Sequence, residues 1–217
     1  MASERSAREE ILGRVCAAIG GSSTAETALA GWHDLPRGYR RSSLLHDEAV
    51  IRLFTERLEH YDATAVRCGA GEVAQRMAER LAAQGKQRLL VAEGLAAEWL
   101  PAGFEFVVDQ GSSAKVLDGF EGIVTGATVA IAETGTVVLQ NVPGQGRRAA
   151  TLVPDYHLCL VRLEDIVETV PEAIARICNS ASLATTFVSG PSATADIEMT
   201  RIKGVHGPRV LDVLLVG

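Results

Sequence analysis

The chain has four cysteines, and no two of them are close. Cys16, Cys68, Cys159 and Cys178 form no C-x-x-C pair, a spacing that structural zinc and iron–sulfur sites normally use at least once. Cys159 lies between Leu158 and Leu160, and Cys178 follows Ile177, so buried thiols are expected and no metal site. Long hydrophobic runs are also missing. The stretch from Leu211 to Val216 is far below the roughly 20 residues that span a bilayer. The first residues are charged (Glu4, Arg5, Arg8, Glu9, Glu10) with no apolar signal core behind them, so a cytoplasmic protein without membrane insertion or disulfides is expected. Positive charge is in deficit: 21 Lys and Arg stand against 27 Asp and Glu, a net charge of −6. That balance argues against a nucleic-acid partner. The basic points Arg40–Arg41 and Arg147–Arg148 are only pairs, suited to a small anion. Neither a G-x-G-x-x-G string nor a Walker lysine–hydroxyl pair occurs, and no nucleotide cofactor is assigned. No serine sits in a G-x-S-x-G elbow, and no cysteine has an activating neighbour in sequence.

What is present fits one α/β protein of 217 residues, 47% of them hydrophobic, enough to bury a proper core. Residues 6–19 set Ile11, Leu12, Val15, Ala18 and Ile19 on one helical stripe, and residues 43–60 do the same with Val50, Ile51, Phe54 and Leu58, after Ser42–Ser43 as a cap. Between them, residues 20–42 read as a mostly irregular arm that opens on Gly20–Gly21–Ser22–Ser23. From residue 64 short β-rich runs alternate with helical ones: strands at 64–68, 88–92, 104–108 and 120–124, helices at 70–84, 94–99 and 112–118. Such alternation implies βαβ crossovers and a mainly parallel sheet flanked by helices. The rhythm breaks at 127–140, where two strand-like runs flank Glu133-Thr134-Gly135, a hairpin signature. A loop at 141–148, a strand at 157–162, helical residues 164–178 restarting at Pro171, a strand at 184–188, a short helix opening near Pro191 and a strand at 210–216 complete the expectation. The chain thus divides into an N-terminal helix and arm over 1–42 and an α/β domain over 43–217.

Four segments carry candidate chemistry. Ala132-Glu133-Thr134-Gly135-Thr136 would bring a carboxylate and two hydroxyls to a strand end, with Glu133 as an acid–base group and Thr134, Gly135 and Thr136 at the substrate. A solvated hairpin tip explains the same residues. In Pro143-Gly144-Gln145-Gly146-Arg147-Arg148, Gly144 and Gly146 permit close backbone approach, and Arg147 or Arg148 supplies a planar fork for a carboxylate; a surface loop is the plain alternative. Ser189-Gly190-Pro191-Ser192-Ala193-Thr194-Ala195-Asp196-Ile197-Glu198 follows an apolar strand. If it opens a helix, its N–H groups attract an anion, with Gly190, Pro191, Ser192, Thr194 and Glu198 at the substrate and Asp196 as a catalytic candidate. Ordinary capping is the competing account. Gly204-Val205-His206-Gly207-Pro208 frames His206 as a proton carrier, and His157 opens a strand as a further binding candidate; a structural role is the commoner outcome for such histidines.

The strings AETGTVVL (132–139), GQGRRAATLVPDYH (144–157), SGPSATADIE (189–198) and GVHGP (204–208), in this order, resemble the LUD-domain family in its lactate utilization protein C branch. The resemblance covers roughly residues 45–217. It implies a fold similar to ribose-5-phosphate isomerases, CoA transferases and 5-formyltetrahydrofolate cyclo-ligases, with an N-terminal helical extension. It also implies a part in oxidising L-lactate to pyruvate alongside iron–sulfur partner proteins, which would carry the clusters that this chain has no motif for. The corresponding expectation is an accessory or small-carboxylate-binding subunit whose ligand is lactate or pyruvate. The alternatives are a stand-alone enzyme acting on a phosphorylated sugar or acyl substrate and a non-catalytic structural partner. A homo-oligomer is compatible with all three.

Overall fold

The computed structural model describes residues 6–20, 24–180, 182–194, 202–203 and 207–217. Contacts group the chain into two compact units, Met1–Tyr39 and Arg40–Gly217. The first holds α1 (Ala7–Ala18), capped by Ser6 in a reciprocal box with Glu9, and α2 (Ala25–Asp34), capped by the Thr24 hydroxyl. The second helix corrects the expectation of an irregular arm. The Gly-Gly-Ser-Ser stretch ends at a good N-cap, and Ala25, Ala28, Leu29 and Ala30 behind it are strong helix formers.

The second unit begins with α3 (Asp47–His60) and continues through β1 (Thr64–Cys68), α4 (Val73–Ala83), β2 (Arg88–Val91), β3 (Glu105–Val108), α5 (Ala114–Leu117) and β4 (Gly122–Gly126). Then come β5 (Val129–Ile131), β6 (Thr136–Gln140), β7 (Tyr156–Arg162), β8 (Ile166–Val167), α6 (Val170–Ile177) and β9 (Thr185–Ser189). The short strands β10 (Ala193–Thr194) and β11 (Ile202–Lys203) precede β12 (Val210–Val216). Six strands form an all-parallel sheet in the order β1-β12-β7-β4-β2-β3. Four others form a second, mixed sheet in the order β8-β5-β6-β9, in which β5 and β6 are the expected hairpin.

Both faces of the large sheet are covered, which is why its strands read as nearly continuous apolar runs. On one face Val124, Leu158, Leu160, Leu214 and Val216 pack against Val73, Met77 and Leu81 of α4. On the other, Cys159, Val161, Leu211, Val213 and Leu215 meet Phe54 and Leu58 of α3 and Ala130, Val137 and Leu139 of the second sheet. The outer face of that second sheet is closed by α6, where Ala173 and Ile177 cover Val129, Ile131 and Val138. Each fully buried Leu, Val or Phe contributes about 1.5–3 kcal/mol relative to exposure.

Two carboxylates buried in this core are each held by several donors. Asp212, 1% exposed on β12, accepts two hydrogen bonds of 3.0 Å from Arg80 of α4 and one of 2.9 Å from the Tyr156 hydroxyl. Glu168 is also buried and accepts from Arg40, the Ser43 hydroxyl (2.6 Å) and the N–H groups of Leu44 (2.8 Å) and Leu45 (2.9 Å). These donors, the Ser43 hydroxyl first, hold its carboxyl down at about 2 against the opposing effect of burial. Ser43 is therefore occupied away from α3, whose N-cap is His46 rather than the expected serine pair.

Among the described residues, no helix opens at Pro191. Gly190 turns the chain with φ +80°, the Ser192 N–H donates to the Pro208 carbonyl (2.8 Å), and Ala193–Thr194 pairs antiparallel with Ile202–Lys203. A proline at a helix start needs a run of i→i−4 bonds behind it; here the backbone is spent on the 207–208 turn and a strand pair instead.

Candidate functional site

Two clefts flank the segments singled out by sequence. The first, about 280 Å3, lies between the sheets. Its walls include Arg148, Thr151, His157 and Leu211 on one side and the Phe187–Ser192 stretch on the other. His157 is placed by β7, whose alternation turns its ring to the same side as Cys159 and Val161, toward the second sheet. The ring is 1% exposed, and its Nε2 lies 2.7 Å from the Thr125 hydroxyl. Thr125 also donates to Cys159 Sγ (3.7 Å), and that thiol donates to the Gly126 carbonyl (3.7 Å). Burial, aided by the positive charge of Arg148, pushes His157 down to about 4, and burial pushes the Cys159 thiol up to about 12. The ring is thus neutral and the thiol inert near neutral pH. Arg148 is steadied by contacts from Nη1 to the Thr151 carbonyl (3.4 Å) and hydroxyl (3.3 Å).

The hydroxyls of the hairpin tip reach this cleft through a chain. Thr134 and Thr136 Oγ1 lie 2.7 Å apart, and Thr136 Oγ1 is 2.7 Å from Ser189 Oγ, which borders the cleft. Gly190 is required here twice over. Its φ is left-handed, and an added Cβ would sit 2.5 Å from Cβ of Tyr61.

The second cleft, about 740 Å3, sits at the carboxyl ends of β2 and β3, beside Ile123 of β4. The connection leaving β2 runs toward β3 and the one leaving β4 runs the opposite way, so this is the topological switch point of the sheet. The glycine-rich loop is clasped over it. Gly144 N–H donates to the Glu93 carbonyl (2.6 Å), and Gly126 N–H donates to the Gly144 carbonyl (2.7 Å). Gly146 lines the cleft beside Arg147. Arg147 forms a fork with Asp109, Nε to Oδ2 at 2.6 Å and Nη2 to Oδ1 at 3.1 Å, and also donates to the Ser112 carbonyl. That arginine holds the Asp109 carboxyl below its usual range.

The sequence candidates are therefore sorted rather than gathered. His157, Gly190, Pro191 and Ser192 border the inter-sheet cleft, and Thr134 and Thr136 connect to it through Ser189. Gly144, Gly146 and Arg147 belong to the neighbourhood of the switch point. Among the described residues no helix opens at this cleft, and Arg148 supplies positive charge to it. Glu133 borders neither: Arg40 binds it together with Glu168, and Gly135 packs against Arg57. Thr194 contributes backbone to β10. Asp196, Glu198 and His206 lie outside the described residues. Thr125, Thr151 and Asp109 were missed. A threonine on a buried strand and one in a short turn look like packing and capping, and Asp109 is 38 residues from its partner. Among the described residues, no three His, Cys, Asp or Glu side chains converge as metal ligands, and no helix is long and apolar enough to cross a membrane.

Comparison with known proteins agrees with this architecture. The LUD domain profile matches residues 115–216. "Lactate utilization protein C" of Deinococcus radiodurans is 38% identical over 188 residues, 85% of each chain. "Uncharacterized protein YkgG" of Escherichia coli is 33% identical over 135 residues, covering 59% of this chain and 55% of that one. A crystal structure of a DUF162 family protein from Deinococcus radiodurans superposes with a TM-score of 0.70 at 33% identity, covering 80% of this chain and 99% of that one. With a relative this similar along most of both chains, and a matching solved fold, the chain belongs to the LUD-domain family.

Proposed function

We propose that the protein serves lactate utilization and that the inter-sheet cleft is where it holds the small carboxylate. The observation carrying this reading is the pairing of Arg148 with a neutral His157 in a cleft of about 280 Å3. That space suits a molecule of a few carbons. A guanidinium gives charge-assisted hydrogen bonds to a carboxylate, Ser189 adds a hydroxyl, and Leu211 and Val188 offer apolar surface for a methyl group. The name carried by relatives, lactate utilization protein C, supports the choice of ligand.

Oxidising lactate to pyruvate removes two electrons. In this proposal they pass to iron–sulfur partner proteins, and this chain acts as the carboxylate-binding subunit. Titration calorimetry tests the cleft. L-lactate should bind the wild-type protein, and Arg148→Ala should weaken binding at least tenfold, about 1.4 kcal/mol. Lactate-dependent dye reduction by the iron–sulfur partners, with and without this chain, tests the subunit role. Unchanged binding in the variant would reject the cleft, and equal rates without the chain would reject the partnership.

A further inference from the structure

The hydrogen-bond chain around His157 fixes where its proton sits. Three contacts run in a line: His157 Nε2 to Thr125 Oγ1, Thr125 Oγ1 to Cys159 Sγ, and Cys159 Sγ to the Gly126 carbonyl. The far end fixes the direction. A carbonyl oxygen only accepts, so the thiol proton points at Gly126. The thiol then has no proton for Thr125, so the Thr125 hydroxyl donates to sulfur. That hydroxyl has only one proton, so the 2.7 Å contact to the ring must be a donation from Nε2–H. One assignment alone satisfies all three contacts, and in it Nδ1 is the bare nitrogen.

Nδ1 makes no hydrogen bond among the described residues. His157 borders the inter-sheet cleft, and with Nε2 engaged by Thr125, Nδ1 is the ring nitrogen left to meet a ligand there. The cleft then offers two different groups to a ligand, a cation at Arg148 and a neutral acceptor at His157.

Resting on the carboxylate-binding reading above, we propose that His157 Nδ1 selects a 2-hydroxy acid over the matching 2-oxo acid. The hydroxyl of lactate donates to Nδ1 while its carboxylate meets Arg148. The keto oxygen of pyruvate has no proton to give and sets lone pair against lone pair. A site built to hydrogen-bond a substrate hydroxyl discriminates strongly against the analogue without that donor. Oxidation removes this donor proton, so the product is held less tightly than the substrate. Thr125 is a positioning residue in this scheme, acting only through the ring.

The test is titration calorimetry with L-lactate and with pyruvate on wild type, His157→Leu and Thr125→Val, with nitrogen NMR of the labelled imidazole on wild type and Thr125→Val. Wild type should bind lactate at least tenfold more tightly than pyruvate, with Nε2 protonated and Nδ1 bare. His157→Leu should bring the two affinities within about twofold by weakening lactate alone. Thr125→Val should shrink the ratio and shift the ring signals toward the other tautomer. Equal affinities in wild type, or a ring protonated at Nδ1, would overturn the selectivity while leaving the carboxylate site standing. Failure to bind either acid would overturn both readings together.

Discussion

The strongest stability prediction concerns acid. His157 has its pKa lowered from 6.5 to about 4 by burial and by the charge of Arg148. In the unfolded chain it returns to the ordinary value. Between these two values the unfolded state binds more protons than the folded one, so stability falls as pH falls. The contribution is intact above pH 6.5 and is progressively lost down to about 4. The whole shift corresponds to about 3 kcal/mol. At pH 5 the ratio of proton-binding factors already amounts to about 2 kcal/mol. The depressed carboxyl of Glu168 acts elsewhere, since its stabilising effect is lost only as pH falls from 4.5 toward 2. Urea unfolding of wild type and His157→Gln at pH 7 and pH 5, followed by tryptophan fluorescence, isolates the histidine. Subtracting the variant's pH dependence removes every other titrating group. Wild type should lose about 2 kcal/mol more than the variant. An equal loss in both proteins would refute the claim that His157 stays neutral in the folded state.

Two further substitutions probe the frame around the site. Arg80→Met leaves the Asp212 carboxylate, 1% exposed, with only the Tyr156 hydroxyl. It should cost about 3–5 kcal/mol in urea unfolding, and Asp212→Leu added to it should recover most of that, because a buried unpaired charge is worse than an apolar pair. Gly190→Ala forces a left-handed φ on a side chain and sets its Cβ against Tyr61. An expected loss of about 1–3 kcal/mol, together with weakened lactate binding, would show in a thermal melt and the same titration; unchanged values would mean that the turn adapts freely.

The sheet was legible in sequence because parallel strands buried on both faces leave compact apolar runs between helical stripes. The 64–124 stretch carries that pattern, and the hairpin at 127–140 announces itself by Gly135 between two β-rich runs. Local signals failed where a tertiary partner decided the outcome. Pro191 carries a helix-start signal, yet the Ser192 N–H belongs to Pro208. Ser43 looks like a cap, yet its hydroxyl serves Glu168. The double glycine signals a loop, yet that signal ends at Thr24, whose hydroxyl caps α2. For the site, the motifs named the right neighbourhoods but not their partition. Glu133 reads as an acid–base candidate from its hairpin-tip position, whereas the structure gives it to Arg40, a residue 93 positions away.

The loop clasped by Gly144 also sets a phase. Arg147 and Arg148 are adjacent, yet the first is locked by Asp109 over the switch point and the second stands beside His157 between the sheets. Their division of labour is a matter of register, counted from the two hydrogen bonds at Gly144. Deleting or inserting one residue between Gly144 and the arginines would change no side-chain type, but it would shift which position faces each cleft. In a relative whose loop differs by one residue, an arginine at the aligned position is therefore a poor guide to shared ligand chemistry, and the count from the clasp is the better one.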